Sequence, residues 1–237
     1  MIKFHSNISF MQQTSYFSNF FAADVNKKAK TAAIEFARNT ADKSVLVISG
    51  QCGNGSTHLA FAIVNAIRKN TPEQRIFSTT FENVQYGLKS KQSQEKLRTS
   101  FLNSHSVVLI DSYTDKIWEA ASKELLTRLQ DVRTKVIITC AEDVSVDLQH
   151  RHIRLFPPSD KEKVQIIKDV LKKLVLKDEK IAFSNSAILY LSSADFGSVR
   201  HLQGLIISLL ARRHLNNYEI DLHFVKKEYL RFKNRYC

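Results

Sequence analysis

Cysteine is scarce in this sequence: there are three among 237 residues, beside three prolines and six glycines. Cys52, Cys140 and Cys237 are odd in number and far apart, so their spacing predicts neither a disulfide framework nor a metal site. We interpret them as the reduced thiols of a cytoplasmic protein.

Long apolar runs are also missing. No stretch of about 18 apolar residues occurs, so the sequence predicts no membrane-spanning helix. The N-terminus, Met1–Asn7, lacks the apolar core of a secretory signal. A content of 43% hydrophobic and 24% charged residues is that of an ordinary globular chain. The length suits one large domain with a small one, or one continuous α/β unit.

Negative charge is the minority sign. The chain has 35 Lys and Arg against 23 Asp and Glu, a net charge of +12. Residues 160–237 hold 15 of the basic and 9 of the acidic side chains, so positive charge is densest in the C-terminal third. This balance favours a polyanionic partner, nucleic acid above all. The alternative is a general basic drift of composition.

Short β-branched runs alternate with helical patterns in the first two thirds of the chain. This alternation predicts an α/β fold with a parallel sheet between helices. After Pro157 and Pro158 the pattern becomes helical throughout, and Ser159 with Glu162 forms a capping box. The predicted strands are 44–49, 75–79, 106–111 and 135–140, and the predicted helices are 26–38, 56–69, 81–103, 116–131, 159–177, 184–193, 198–214 and 221–233.

A glycine-bearing loop lies between the first predicted strand and the helix after it. Residues 50–57 fit the pattern G-x-x-x-x-G-x-[ST], and such a loop cradles phosphates with its backbone N–H groups. The standard motif has lysine where Ser56 stands, and a hydroxyl supplies no charge to the phosphates. We therefore predict nucleotide binding without efficient hydrolysis; the alternative is an ordinary strand-to-helix turn. The predicted nucleotide-binding residues are Gly50, Cys52, Gly53, Asn54, Gly55, Ser56, Thr57 and His58.

A second motif lies at the carboxyl end of the predicted strand 106–111. Four apolar residues and then Asp111 match the Walker B pattern, which predicts that Asp111 and Thr57 hold Mg²⁺. Ser112 stands where a second acid normally activates water, and serine is no general base near neutral pH. Asp115 is too far along the chain to take its place. The alternative is that Asp111 merely caps the next helix.

Several segments together resemble the DnaA family of replication initiators, and most closely its short regulatory relatives of the Hda type. Thr57-His58-Leu59 resembles the family's T-H-L tail, which distinguishes it from most P-loop proteins. The resemblance runs from about Tyr16 to Leu230. The other matching segments are 17–20 (F-S-N-F), 109–112 (L-I-D-S), 137–140 (I-I-T-C), 156–158 (F-P-P), 197–204 (G-S-V-R-H-L-Q-G) and 220–225 (I-D-L-H-F-V).

The resemblance implies an AAA+ P-loop core with a five-stranded parallel sheet and a small C-terminal α-helical lid. The implied domains are an N-terminal arm at 1–24, the nucleotide-binding domain at 25–157 and the lid at 158–237. Arg200 would reach the phosphates as the sensor-2 arginine, or else be a solvated helix-start residue. Arg151 resembles an arginine finger. The sensor-1 acid would fall near Ala141, which has no polar group.

The resemblance also implies partners. Initiator DnaA would bind through AAA+ contacts, and the chain would be a monomer or a homo-oligomer. Residues 6–11 would be the sliding-clamp peptide, with Ile8, Phe10 and Met11 as its apolar contacts, although the usual glutamine is absent; a packed or disordered arm is the alternative. The helix-turn-helix domain of full initiators is absent from these 237 residues.

Three functions remain open on this reasoning. The first is a regulator of replication initiation, not itself an efficient enzyme, that binds ADP or ATP weakly with Mg²⁺. The second is a DNA-binding AAA+ module that contacts single-stranded or origin DNA. The third is a slow ATPase in which Lys43 or a partner's residue replaces the missing lysine.

Overall fold

The chain divides into two compact units, Met1–Phe156 and Pro157–Cys237, in a computed structural model. The structure describes residues 14–21, 24–39, 44–88, 107–113, 127, 134–141, 150–174, 183–216 and 220–236. The strands are β1 (Val45–Ser49), β2 (Ile76–Thr80), β3 (Val107–Tyr113), β4 (Lys135–Cys140) and β5 (His150–Arg154). The helices are α1 (Lys27–Arg38), α2 (Ser56–Asn70), α3 (Phe81–Leu88), α4 (Asp160–Leu174), α5 (Asn185–Ser193), α6 (Val199–Asn216) and α7 (Leu222–Tyr236).

The first unit is built on a parallel sheet with the strand order β2-β3-β4-β1-β5. Every residue of β1 and β4 is buried, as expected for central strands that are covered on both faces. The α/β class and the five parallel strands are thus confirmed. Leu46 and Ile48 of β1 pack with α1 and α2 in one core cluster, which also includes Leu155.

The fifth strand was not predicted from its residues. His150–Arg154 carries four polar side chains and buries only Ile153, so it lacks a continuous apolar run. It can be this polar because it pairs with β1 alone and forms the edge of the sheet. Arg151 therefore lies in a strand and is exposed; the predicted finger role stays a prediction.

Strand β3 is longer than predicted. It continues past Asp111 to Tyr113, and its pairing with β4 is irregular between Ile110 and Tyr113. Asp111 thus lies inside the strand, at a local distortion, and not at its last position. Most of the predicted helices 81–103 and 116–131 lie outside the described residues.

A buried lysine caps the C-terminus of helix α1. Lys135, at the start of β4, is 3% exposed. Its ammonium donates to the carbonyls of Phe36 at 2.6 Å and Asn39 at 2.5 Å and lies 4.4 Å from the Phe36 ring centre. Carbonyls at a helix C-terminus have no hydrogen-bond partner within the helix and lie at the negative end of its dipole. The lysine ammonium donates hydrogen bonds to them and its positive charge is attracted to that end.

The second unit is helical, as predicted. The Ser159–Glu162 capping box is present: the Ser159 N–H donates to Glu162 Oε2 at 2.7 Å, and the Glu162 N–H donates to Ser159 Oγ at 3.4 Å. Its apolar core joins residues from all four helices, including Ile167, Leu191, Leu205 and Val225. Among the described residues, no helix has the length and apolar character needed to cross a membrane.

Candidate functional site

Close contacts at Gly50 and positive φ angles at two further glycines define the loop between β1 and α2. The Gly50 N–H donates to the Cys140 carbonyl at 3.1 Å, which continues the β1–β4 pairing by one residue. A Cβ on Gly50 would lie 3.0 Å from the Leu155 Cβ and 3.1 Å from the Leu155 oxygen. Gly53 and Gly55 both have positive φ, 85° and 103°, which other residues rarely adopt. The two glycines turn the loop into the N-terminus of α2.

Gly55 is the N-cap of α2 and lies directly under an aromatic ring. A Cβ on Gly55 would come within 2.9 Å of Phe20 Cε2. Phe20 is 7% exposed, and its ring centre is 5.5 Å from that of His58 in the first turn of α2. Space at this position is therefore limited by the N-terminal segment as well as by the backbone.

The segment 14–21 is tied to α2 by polar contacts. His58 Nε2 lies 2.9 Å from Asn19 Oδ1 and 3.3 Å from the Tyr16 carbonyl. Both partners are acceptors here, since the Asn19 amide nitrogen donates to Thr14, so Nε2 carries the proton. Asn65, two turns further along α2, donates to the Ser15 carbonyl at 2.7 Å. These residues of the arm thus pack against the helix that follows the loop.

Side chains from α2, β3 and β4 meet at the carboxylate of Asp111. Asp111 of β3 is 9% exposed. Its Oδ1 accepts from Thr57 Oγ1 at 2.8 Å and from Thr139 Oγ1 of β4 at 2.5 Å. The structure thus brings together Thr57 and Asp111, the two residues predicted to hold Mg²⁺. A carboxylate and a hydroxyl are oxygen ligands of the kind Mg²⁺ prefers.

Thr139 was not identified from the sequence. It sits at the penultimate position of an otherwise apolar strand, and its Oγ1 also accepts from the Ser112 N–H at 2.9 Å. Thr139 is 1% exposed, and a buried hydroxyl needs a hydrogen-bond partner. A single hydroxyl in an otherwise apolar strand is therefore the sequence signal that could have predicted its role. Ser112 itself is exposed and has a φ of 62°, a conformation uncommon for serine.

The loop contains a buried amide without a partner. Asn54 is 8% exposed, and neither Oδ1 nor Nδ2 of its side chain has a hydrogen-bond partner. Leaving such a group unpaired costs about 1–3 kcal/mol, and a ligand or a bound water is the usual remedy. With the Gly53–Gly55 turn at the positive end of α2, the loop fits the phosphates of a nucleotide.

The donor set also fits Mg²⁺, but only alongside phosphate. Thr57 and Asp111 supply two oxygen ligands, and Mg²⁺ completes its six ligands with waters and substrate oxygens. Among the described residues, no group of three or more His, Cys, Asp and Glu side chains could hold a metal by itself. A cation here would therefore be bound together with a nucleotide.

The remaining predicted site residues lie in several different elements. Cys52 is exposed in the loop, and Ser56, the first residue of α2, is half-buried. Ala141 is exposed directly after β4. Arg200 is exposed in the first turn of α6, in the second unit. The clamp-peptide residues Ile8, Phe10 and Met11 lie outside the described residues.

The chain matches the family of the bacterial DnaA ATPase domain over residues 11–151, more than half of its length. The chromosomal replication initiator protein DnaA of Flavobacterium psychrophilum is 24% identical over 230 residues, which cover 89% of this chain and 47% of that protein. DnaA of Bacteroides fragilis is 26% identical over 228 residues, with the same coverage of 89% and 47%. The chain thus spans about half the length of these curated relatives.

Solved structures show the same fold. Domain III of the Thermotoga maritima replication initiation protein DnaA superimposes with a TM-score of 0.74 at 23% identity, covering 92% of this chain and 96% of that one. A replication initiator DnaA bound to AMPPCP and single-stranded DNA gives 0.68 at 20% identity, with 89% and 67% covered.

Proposed function

The chain belongs to the bacterial DnaA ATPase domain family, and from that premise we propose that it is a regulatory member that binds adenine nucleotide weakly and turns it over poorly. One observation carries the proposal. Thr57 donates to Asp111 at 2.8 Å, so the two residues proposed to hold Mg²⁺ are in contact, while Ser56, next to Thr57 in the chain, supplies no charge for the phosphates.

Nucleotide binding would depend on neutral donors. The N–H groups at the start of α2, the Ser56 hydroxyl and the Asn54 amide would contact the phosphates, and Thr57 and Asp111 would hold Mg²⁺. Arg200 would add a charge from the second unit. AMPPCP in a structural relative supports an adenine nucleotide as the ligand. Without the lysine, electrostatic attraction for the phosphates is reduced, so we expect weak binding.

Turnover would be poor because three positions that act on the transition state, Ser56, Ser112 and Ala141, lack the groups it needs. Ser56 cannot neutralise charge that develops on the leaving phosphates, and Ser112 cannot activate the attacking water. Ser112 donates through its backbone N–H to Thr139 at 2.9 Å and through its hydroxyl to Asp111 at 3.4 Å. Ala141 supplies no polar group. Nucleotide would then act as a regulatory ligand.

Restoring the lysine should separate binding from chemistry. We expect Ser56→Lys to bind ATP at least tenfold more tightly, because a lysine contacts the β- and γ-phosphates, and to remain slow in hydrolysis. Adding Ser112→Asp should then raise phosphate release, since only the double variant has both groups. Fluorescent-nucleotide titration and a phosphate-release assay measure the two effects.

Ser112→Asp alone is the matched control, because it adds the acid without the lysine. Rapid phosphate release by the unaltered chain would overturn the proposal in favour of an active ATPase. An absence of binding by both the unaltered chain and Ser56→Lys, at millimolar nucleotide, would remove nucleotide from the function altogether.

The partners proposed are initiator DnaA and further copies of this chain, through AAA+ contacts, and a sliding clamp at residues 6–11. We expect initiator and clamp both to be retained on the immobilised chain, and deletion of residues 1–12 to abolish retention of the clamp alone. This deletion leaves the segment 14–21 in place, so its contacts with His58 and Asn65 are preserved. Undiminished clamp retention by the shortened chain would exclude residues 6–11 as the clamp peptide.

A further inference from the structure

The last helix, α7, exposes a row of lysines. Lys226, Lys227 and Lys233 are exposed and fall within a sector of about 120° around the helix axis. The exposed residues His223 and Leu230 fall in the same sector. We call Lys226, Lys227 and Lys233 the α7 basic face. Residues 226 and 233 are seven positions apart, about 10.5 Å along the axis.

Among the described residues, no acidic side chain forms an ion pair with these three lysines. Glu228 is the one acidic residue in the α7 sequence, and it is 4% exposed. Its carboxylate is bonded to Arg212 at 3.1 Å and to Arg231 at 2.7 Å, so it is directed into the helical unit. Asp221 precedes the helix and accepts from the Phe224 N–H, which makes it a cap.

The lysines are carried by a firmly anchored helix. Val225 and Tyr229 are in the core, and the Tyr229 hydroxyl donates to the Asp195 carbonyl at 2.8 Å. Lys226 lies 5.6 Å from the centre of the Tyr190 ring. Burial and the neighbouring Tyr229 raise the pKa of Tyr190 above its ordinary value, against the lowering effect of Lys233. Tyr190 therefore stays neutral and adds no negative charge to the face.

Helix α4 shows that basic composition alone does not make such a face. It also has exposed lysines at 168, 172 and 173, but acidic side chains are interspersed with its basic ones. Lys163 pairs with Asp160 at 3.0 Å, and Gln165 contacts Asp169. In α7 the single acid, Glu228, pairs with Arg212 and Arg231 and leaves the three lysines without an acidic partner among the described residues. With five basic side chains in each helix, α7 carries one acid where α4 carries three.

We propose that the α7 basic face binds the phosphate backbone of double-stranded DNA without reading its bases. Lysine is a point charge that suits phosphate but carries no base code, and duplex DNA presents about one charge per 1.7 Å of axis. Single strands are held by stacking on exposed aromatic rings. Among the described residues of the second unit, the large exposed apolar side chains are Leu189, Ile207 and Leu230, with no ring among them.

The test is a salt titration with a fluorescent 25-base-pair duplex. The triple variant Lys226→Gln, Lys227→Gln, Lys233→Gln should lower the slope of log K against log salt by about 3 and weaken binding at least tenfold at low salt. The control, Lys168→Gln, Lys172→Gln, Lys173→Gln, removes the same charge from α4. It should leave affinity within about threefold of the original. Thermal unfolding of both variants checks that the fold is intact.

Equal losses in both triple variants would overturn the proposal, because general positive charge would then suffice. Tighter binding to a single strand of equal length would also overturn it. So would a loss of binding to vesicles with anionic lipid, or to an acidic polypeptide, with duplex binding unchanged. The proposal does not rest on the nucleotide site, so nucleotide-free protein serves equally well.

Discussion

The Gly55→Ala variant is expected to lose detectable nucleotide binding and about 2–6 kcal/mol of stability. Two causes add. A φ of 103° is strained for alanine, which costs about 1–3 kcal/mol. The new methyl would lie 2.9 Å from Phe20 Cε2, and overpacking of this kind costs about 1–3 kcal/mol more. Relief of either strain moves the start of α2, and with it the N–H groups that would hold phosphate. Urea unfolding and nucleotide titration measure the two losses.

A double variant separates the causes. Phe20→Ala removes the ring, so Gly55→Ala in that background should cost only the backbone strain. Gly197→Ala is a matched control: Gly197 also has a positive φ, 63°, but a Cβ there would meet nothing within 4 Å. It should destabilise by about 1 kcal/mol and leave nucleotide binding unchanged. If Gly55→Ala costs no more than Gly197→Ala, the Phe20 contact does not constrain the loop.

The Asp111→Asn variant is expected to abolish the magnesium dependence of nucleotide binding. In the unaltered chain Mg²⁺ should tighten binding at least tenfold over EDTA, because the Asp111 carboxylate is the charged ligand that the described residues offer at this site. In the variant the two conditions should give equal affinities, since an amide has no charge and its NH₂ cannot accept from Thr57. Isothermal titration with and without Mg²⁺ measures the difference.

Ser112→Ala and Thr139→Val are the controls for this change, because each removes one hydroxyl donor to Asp111, at 3.4 Å and 2.5 Å, and leaves the carboxylate in place. Both should retain a magnesium effect. A magnesium effect that survives in Asp111→Asn would place the cation on other ligands and would contradict the assignment of Thr57 and Asp111.

One of the hydrogen-bond partners of Asp111 could not be predicted from the sequence. The Walker B pattern identified Asp111, and the loop pattern identified Thr57, each from neighbours in the chain. Thr139 was not predicted because its role depends on register: the irregularity between Ile110 and Tyr113 sets two residues of β3, Asp111 and Ser112, opposite Thr139 of β4. Register between strands is set by packing of the whole sheet and is not written in either strand alone.

Strand β5 likewise could not be predicted from its own residues. Its sequence, His-Arg-His-Ile-Arg, has neither the apolar run of a buried strand nor a clear alternation. It is a strand because β1 offers it a free edge. The Phe20–Gly55 contact likewise joins residues 35 positions apart. Neither feature has a local signature.

Local signals determined the rest. The β-branched runs and helical spacings predicted four strands, the turn at residues 50–57 and the helical second unit, since each depends on residues a few positions apart. Tertiary structure decided which of these segments meet: Thr57 and Thr139 at the Asp111 carboxylate, the segment 14–21 against the loop, and Glu228 of α7 against Arg212 of α6. Burial drives those meetings, and burial is a property of the assembled chain.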